Sequence, residues 1–257
     1  MVRGLDKFIS HFKGMENSYV LIGGCACDIW LSSLGIPFRL TKDIDMVIIM
    51  EALNSEFVQA FWNFIKLGHY QSLTESSDKP KFYRFRGPEK KGFPFMIELL
   101  SKNSLDLPHY IHLTPIPTDA DISSLSAILL DDEYYKFILE EKITVGNIPI
   151  IPPQCLIPLK AKAYLDLKRR KESGDQTVKV KDVKKHRNDI FRLSLSIAPA
   201  EHYSLPSSIE NDVQNFLEDI PPNSQDWTGI KAALKDSGIQ LPAPEAAIER
   251  IENIFNI

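Results

Sequence analysis

The chain has 257 residues, of which 44% are hydrophobic, and a net charge of −4. This composition is typical of a globular protein with one large or two small domains, long enough to bury a substantial core. The overall charge gives no sign of a general attraction to nucleic acid. No segment approaches the roughly 20 apolar residues of a membrane span, and the first twelve residues lack the apolar run of a signal peptide.

The cysteine content bears on the cellular environment. The chain has three cysteines, an odd number, and two of them, Cys25 and Cys27, are separated by one residue. This pattern argues against a disulfide framework. We therefore expect a cytoplasmic, reducing location without a membrane partner.

The first predicted elements form a strand–turn–helix–strand unit. Apolar residues at helical spacing predict a helix over 3–14, and the apolar run Tyr19–Ile22 predicts a buried strand. Gly23-Gly24 predicts a turn whose backbone another group can approach closely. A helix over Cys25–Leu34 follows, and Gly35-Ile36-Pro37 ends it.

The next predicted strand, Asp43–Ile49, carries the first candidate functional residues. Asp43 and Asp45 are two residues apart, so on a strand both side chains point to the same face. Adjacent carboxylates repel each other unless one is protonated or a cation binds between them. Mg²⁺ prefers oxygen ligands, and a glycine turn at a helix N-terminus is a natural phosphate site. This arrangement predicts phosphoryl chemistry.

The rest of the N-terminal half mixes helix and strand. The predicted elements are a helix at Leu53–Leu67, a polar loop at Thr74–Lys79, strands at Lys81–Arg86 and Phe93–Leu100 around a turn at Gly87–Gly92, and strands at Tyr134–Leu139 and Ile143–Ile151. Residues 101–133 are rich in proline and are predicted to be irregular; His109 and His112 lie there and are interpreted as structural, because no partner spacing indicates zinc.

Glu98 is an acid in the otherwise apolar run of the strand Phe93–Leu100. A lone carboxylate in a central strand is costly unless it is paired or binds metal. Three interpretations stay open at this point. Glu98 is a third metal ligand, it faces outward from an edge strand, or it forms an ion pair with Arg84 or Arg86.

Pro152-Pro153 marks the predicted domain boundary, so that domains span 1–152 and 153–257. The second half is predicted to be helical, with helices at Gln154–Lys171, Lys181–Ile197, Ser207–Leu217, Trp227–Leu234 and Pro244–Ile254. Lys168 to Arg187 contains nine basic and three acidic residues, a local charge of +6. This segment is interpreted either as a surface that attracts a polyanion or as an ordinary solvated helix face.

The N-terminal motif resembles that of the DNA polymerase β-like nucleotidyltransferases. Ile22-Gly23-Gly24, a spacer and Asp43-Ile44-Asp45 are similar to the family's hydrophobic residue, Gly-Gly or Gly-Ser, and Asp-hydrophobic-Asp. The long spacer and Arg39-Leu40-Thr41-Lys42 resemble the AbiEii-type branch, which includes toxins of bacterial toxin–antitoxin systems. The resemblance implies an α/β (α+β) fold, with a nucleotidyltransferase-like mixed sheet flanked by helices and a C-terminal helical domain.

The resemblance also implies an activity and its residues. A nucleoside monophosphate would move from a nucleoside triphosphate to an acceptor hydroxyl, with release of pyrophosphate. Asp43, Asp45 and Glu98 would hold one or two Mg²⁺ ions, and Gly23 and Gly24 would bind the phosphates. Glu98 or a nearby carboxylate would help to deprotonate the acceptor. Positive charge would come from Lys160, with Arg39 or Lys42.

Two helical residues enter through the same resemblance. Lys160 is similar to the nucleotide-phosphate lysine of the AbiEii-like proteins, and Asp189 is similar to a later acid in their pattern. Lys162 is the other candidate for the lysine. An ordinary exposed position is the structural alternative for Lys160.

The acceptor is left open by the sequence. The AbiEii-type resemblance implies an RNA end, such as that of tRNA, or a partner protein, together with a candidate antitoxin. Other branches of the superfamily modify small molecules such as aminoglycosides. From other classes, the alternatives are a noncatalytic nucleotide-binding or toxin–antitoxin interaction protein on the same fold, and a plain scaffold.

Overall fold

The computed structural model describes residues 2–74, 80–102, 113–116 and 125–257. The chain divides into two compact units. The first contains Met1–Trp30 and Leu40–Ile151, and the second contains Leu31–Arg39 and Pro152–Ile257. The predicted domains, 1–152 and 153–257, differ from these units chiefly in the segment Leu31–Arg39.

The first unit mixes helices and strands. Its helices are α1 (Leu5–His11), α2 (Gly23–Ser33, whose last three residues belong to the second unit), α3 (Ser55–Gly68) and α4 (Asp132–Glu141), with a 3-10 turn at Met50–Ala52. Its strands are β1 (Tyr19–Ile22), β2 (Asp43–Ile48), β3 (Gln71–Thr74), β4 (Pro80–Arg86), β5 (Met96–Lys102), β6 (Leu113–Ile116), β7 (Leu125–Leu130), β8 (Ile143–Val145) and β9 (Ile148–Ile150).

These strands form one mixed sheet. Seven of the described strands follow the order β3-β4-β5-β2-β1-β9-β8, while β7 pairs with β5 and β6 pairs with β7. The central strand β2 runs antiparallel to β1 and parallel to β5, and β4 runs antiparallel to β5. The two strands that were predicted to carry the acids, β2 and β5, therefore lie side by side.

One face of the sheet is covered by aromatic side chains from α1 and α3. Tyr19 of β1 stacks on Phe57 of α3, and Phe85 of β4 meets Phe61 edge to face at 5.4 Å. All four side chains are almost fully buried. Because successive residues of a strand point to opposite faces, the neighbours of Phe85 along β4 point away from this core.

The second unit is helical throughout its described elements. Five helices follow the end of the sheet: α5 (Pro153–Glu172), α6 (Val180–Ser194), α7 (Ser207–Asp219), α8 (Asp226–Lys235) and α9 (Pro244–Phe255). The helices α5 and α9 begin with proline. Proline is tolerated there because the N–H groups of a first helical turn make no hydrogen bond within the helix. In the part of the chain that the structure describes, no helix is both long and apolar enough to cross a membrane.

The predicted fold class is confirmed: a mixed sheet flanked by helices precedes a helical C-terminal region. Two local predictions are wrong. Tyr134–Leu139 was predicted as a strand and lies in α4, which ends at Glu141. Residues 101–133 were predicted to be irregular, but Ser101 and Lys102 complete β5, and β6 and β7 lie within the remainder. Proline is tolerated in β6 because that strand pairs only with β7 among the described strands.

Candidate functional site

The two aspartates of β2 lie on the face of the sheet opposite the aromatic core. Asp43 and Asp45 are both half-buried, whereas Ile44 and Met46 between and after them are fully buried. This alternation is that of a strand with one covered and one more accessible face. The strand therefore presents both carboxylates on the same side, as predicted.

Glu98 of β5 stands beside Asp45. The parallel register pairs Asp45 with Glu98 and Asp43 with Met96. Residues paired in this way point to the same face of a sheet, and neighbouring strands are about 4.8 Å apart. The three predicted carboxylates thus share one face of two adjacent strands.

Arg84 of β4 binds Glu98 from the other side. The antiparallel register pairs Arg84 with Glu98, and its Nε and Nη2 atoms donate to Oε2 at 2.7 Å and Oε1 at 3.1 Å. Only 15% of the Glu98 side chain and 34% of the Arg84 side chain are exposed. The structure therefore contains the ion pair with Arg84 that was one of the three interpretations of Glu98. Its predicted role as a metal ligand stays a prediction.

Gly23 opens α2 directly against Asp45. Its φ of +64° lies in the left-handed region, and a Cβ at this position would overlap Oδ2 of Asp45. Only glycine combines this backbone conformation with this approach of a carboxylate. The predicted turn and the predicted acid are thus in contact. Gly24 follows as the second residue of α2, which has no acidic residue in its first turn.

Cys25 lies one residue further along α2 and is fully buried. Burial raises the pKa of the Cys25 thiol well above its ordinary value, and the charges of Asp45 and Asp28 raise it further. The thiol therefore stays protonated near neutral pH. The structure gives Cys25 a packing role rather than that of an activated thiolate.

The donor set determines which metal would fit. Among the described residues, no group of three or more His, Cys, Asp or Glu side chains is arranged to hold a metal ion. Asp43 and Asp45 offer the all-oxygen pair that Mg²⁺ uses together with waters and substrate phosphates. Both Glu98 oxygens accept hydrogen bonds from Arg84. A Mg²⁺ ion fits the pair on β2, and Glu98 would join it only by releasing Arg84.

A second group of predicted residues meets in the helical unit. Asp189 of α6 is fully buried and accepts hydrogen bonds from Arg39, with Nη2 at 2.7 Å, and from Lys160 of α5, with Nζ at 2.9 Å. Arg192, one turn later on α6, approaches the other carboxylate oxygen at 3.3 Å. We call these four residues the Asp189 cluster. The alternative of an exposed Lys160 is wrong, because only 4% of its side chain is accessible.

Charge dominates the Asp189 cluster. Burial by itself raises the pKa of Asp189, but Lys160 and Arg39 outweigh this effect and hold it at about 2. His186 lies one turn earlier on α6, where burial and then the charge of Lys160 lower its pKa well below the ordinary value. The cluster therefore contains three cations, one carboxylate and a neutral histidine beside it. Its most accessible member is Arg39, with 30% of the side chain exposed.

The other predicted cations occupy different surroundings. Lys42 is exposed in the first unit, immediately before β2, and its carbonyl accepts a hydrogen bond from Phe95 N at 3.1 Å. Lys162 is half-exposed on α5 and lies 3.4 Å from Asp212 of α7. Lys160, which is buried against Asp189, and Lys162 are therefore not equivalent positions.

Several cations of the basic segment 168–187 are paired within the helical unit. Arg170 binds Asp175 at 2.8 Å, Lys168 binds Asp219 of α7, and Arg187 binds Asp226 of α8. Asp219 and Asp226 lie outside the segment, so the local sequence charge of +6 overstates the free positive charge. Arg169, Lys179, Lys181 and Lys184 are exposed. The predicted histidines 109 and 112 and most of the predicted loop 74–79 lie outside the described residues.

Sequence reasoning missed Arg192 and gave only part of the role of Arg84. Arg84 was considered only as a partner that would explain Glu98, although its position across from Glu98 also places it near Asp45. Arg192 lies three residues after Asp189, which on a helix puts both on one face. That i,i+3 spacing was readable in the sequence, whereas the pairing of β4 with β5 was needed to place Arg84.

Comparison with known proteins shows a distant structural likeness. No protein-family model matches the chain. No curated protein matches it either. Among solved structures, the chain is similar to an antigenic nucleotidyltransferase-like protein from Paracoccidioides brasiliensis, with 12% identity and a TM-score of 0.38 over 93% of this chain and 91% of that one. The AbiEii-type branch stays a prediction.

Proposed function

We propose that this protein is a Mg²⁺-dependent nucleotidyltransferase, which moves a nucleoside monophosphate from a nucleoside triphosphate to an acceptor hydroxyl. The observation that carries the proposal is the meeting of Asp45, Glu98 and Gly23 in the first unit. Carboxylates next to the first residue of a helix bring a cation site and a phosphate-binding backbone together.

Asp43 and Asp45 would hold the ion, which when bound neutralises phosphate charge and orients the triphosphate. The acceptor oxygen bonds to the α-phosphorus while the bond from that phosphorus to the bridging oxygen breaks. Pyrophosphate leaves with the electron pair. The hydroxyl proton passes to a carboxylate of this face, which acts as general base.

Groups of the first unit would bind the phosphates of the substrate. The N-terminal N–H groups of α2, at Gly23 and Gly24, carry the positive end of the helix dipole. Lys42 precedes Asp43 directly and is exposed, so it adds positive charge at the same end of β2. Arg39 and Lys160, which the resemblance also implies as phosphate contacts, lie in the second unit, where both bind Asp189.

The acceptor class follows from the resemblance rather than from the geometry. We propose an RNA end, such as that of tRNA, or a protein hydroxyl, in the setting of a cytoplasmic toxin with a cognate antitoxin. The exposed cations Arg169, Lys179, Lys181 and Lys184 favour RNA, because phosphate contacts dominate nucleic-acid affinity. A small-molecule acceptor such as an aminoglycoside is the other outcome of the test below.

A second candidate function is supported by the ion pair between Arg84 and Glu98. A carboxylate with both oxygens hydrogen-bonded to a guanidinium has fewer lone pairs available to a metal ion or an acceptor hydroxyl than a free one. This favours a noncatalytic nucleotide-binding protein on the same fold. Such a protein binds nucleoside triphosphate without turnover.

One experiment separates these functions. The protein is incubated with Mg²⁺ and each α-labelled nucleoside triphosphate, together with RNA, cell protein or small-molecule acceptors. We expect label transfer with pyrophosphate release, and its loss in Asp43→Asn and Asp45→Asn. Asp132→Asn removes an exposed acid of α4 and serves as the matched control. Tight binding without transfer would establish the noncatalytic function, and neither binding nor transfer would leave a scaffold.

A further inference from the structure

Three side chains form a row across the central strands of the sheet. Glu98 of β5 is the register partner of both Arg84 of β4 and Asp45 of β2, and all three point away from the aromatic core. Strand spacing places neighbouring members of the row about 4.8 Å apart along the backbone. Arg84 is thus one strand removed from Asp45, and Glu98 lies between them.

Arg84 limits how a divalent ion can use this face. Arg84 is a guanidinium that stays protonated in proteins, and it donates hydrogen bonds to both oxygens of Glu98. A second divalent cation that used Glu98 would have to displace Arg84.

We propose that the site holds one divalent ion, on Asp43 and Asp45, and that Arg84, held in place by Glu98, supplies the second positive centre for the triphosphate. This inference rests on the proposed nucleotidyl transfer. It makes Arg84 a binding residue for phosphate oxygen and Glu98 a positioning residue that acts through Arg84.

The surroundings of Arg84 suit this role. Burial opposes its charged form, but the hydrogen bonds and charge of Glu98, followed by the charges of Tyr83 and Asp45, raise the pKa of Arg84 above its ordinary value. A third of the side chain remains accessible. A guanidinium clamped by a carboxylate keeps a fixed orientation, and its planar fork matches phosphate oxygens better than an ammonium does.

The test counts metal ions. Mn²⁺ binding to the full chain is titrated by electron paramagnetic resonance in the wild type, in Glu98→Gln, in Arg84→Met and in the control Arg86→Met. Arg86 is two residues along β4 on the same face and contacts the sulfur of Met96. We expect one Mn²⁺ per chain in the wild type, in Glu98→Gln and in Arg86→Met. We expect a second Mn²⁺ in Arg84→Met, because Glu98 is then released.

Kinetics provide a second measurement. Arg84→Met and Glu98→Gln should each raise the KM for nucleoside triphosphate by about tenfold, the loss expected for one charge-assisted hydrogen bond. The double variant should be no worse than either single variant, since both act through one guanidinium. Arg84→Lys should restore charge but only part of the affinity.

Two results would overturn the inference in different ways. Two Mn²⁺ ions in the wild type and fewer in Glu98→Gln would make Glu98 a metal ligand, and the proposed nucleotidyl transfer would stand. No Mn²⁺ binding in any variant would remove the metal site together with the inference, and the label-transfer experiment would then decide the activity alone. If Arg84→Met does not fold, the comparison of Glu98→Gln with the wild type still decides.

Discussion

Gly23 has two separate reasons to be glycine. Its left-handed φ of +64° disfavours any other residue, and the missing Cβ leaves the space that Oδ2 of Asp45 occupies. Gly14 shares the first reason only, because its φ is +87° and nothing lies within 4 Å of a Cβ placed there. Comparing substitutions at the two glycines therefore separates the cost of backbone strain from the cost of overlap with the carboxylate.

We expect Gly23→Ala to lower the free energy of unfolding by more than Gly14→Ala does. The left-handed backbone costs about 1–2 kcal/mol in both variants, and the overlap with Asp45 adds about 1–3 kcal/mol in Gly23→Ala alone. Urea denaturation measures the difference. Equal losses in the two variants would show that Asp45 moves aside without cost. Label transfer should be lost in Gly23→Ala and kept in Gly14→Ala.

Asp189 holds the buried cations of the Asp189 cluster together. Asp189→Asn leaves Lys160 and Arg192 buried, with 4% and 3% of their side chains exposed, and without their anion. Removing one partner of a buried ion pair costs about 3–5 kcal/mol, so we expect a loss of this size in guanidinium denaturation. Asp175→Asn, which removes the surface partner of Arg170, is the control and should have little effect. Similar midpoints for the two variants would contradict the stabilising role.

The low pKa of Asp189 also predicts that the folded state becomes less stable in acid. A carboxyl group with a folded pKa of about 2 and an ordinary unfolded value near 3.9 stabilises the fold fully above pH 4. That contribution is lost as the pH falls from about 4 to 2. We expect the urea midpoint of the wild type to drop over this window. A flat midpoint between pH 4 and 2 would show that Asp189 does not titrate with folding.

At the scale of the elements, α4 shows how a cap decides between helix and strand. Asp131 accepts a hydrogen bond from Tyr134 N at 2.9 Å, and Asp132 and Glu133 complete an acidic first turn. Tyr134, Tyr135, Phe137 and Ile138 are buried, at the i, i+1, i+3, i+4 spacing of one helix face. The strand prediction weighed β-propensity and overlooked this cap.

We expect Asp131→Ala to cost about 1 kcal/mol, the usual contribution of an N-cap side chain. Asp132→Ala, which removes an exposed acid of the same turn, should cost less. Differential scanning calorimetry compares the two melting temperatures. If Asp132→Ala costs as much as Asp131→Ala, the effect is one of charge near the helix dipole rather than of the cap.

The pairing of β2 with β5 places the candidate site. Ile44 and Ile97 are buried partners on one face, and Asp45 and Glu98 are partners on the other. A slip by one residue would turn the aspartates of β2 into the aromatic core, at a large desolvation cost. The apolar residues of these strands therefore fix the relative positions of the acids.

For the whole molecule, we expect Mg²⁺ to stabilise the folded chain. An ion that binds only the folded state adds about 2.7 kcal/mol at 100 times its dissociation constant, and for a chain of this size each kcal/mol raises Tm by roughly 2–4 °C. Scanning fluorimetry with increasing Mg²⁺ measures the shift. Asp45→Asn should abolish it, and Asp132→Asn should retain it. A shift that persists in Asp45→Asn would place the ion elsewhere.

The sequence by itself determined the class of the fold and most of the helices and strands. It also showed that the glycine turn Gly23-Gly24 is followed along the chain by Asp43 and Asp45. These are local properties, because apolar periodicity, glycine turns and prolines act over a few residues. The same patterns placed Glu98 on a strand without fixing its partner.

Only the tertiary structure decided which charges meet. Arg84 reaches Glu98 because β4 and β5 pair, and Arg39 reaches Asp189 across 150 positions of the chain. Both pairings depend on backbone register and on burial, which are determined by parts of the chain far from these residues. Burial also determines how much an ion pair contributes to stability. For that reason the carboxylates of the candidate site were readable from the sequence, whereas the choice of Arg84 as the partner of Glu98 and the pairing of Arg39 and Lys160 with Asp189 were not.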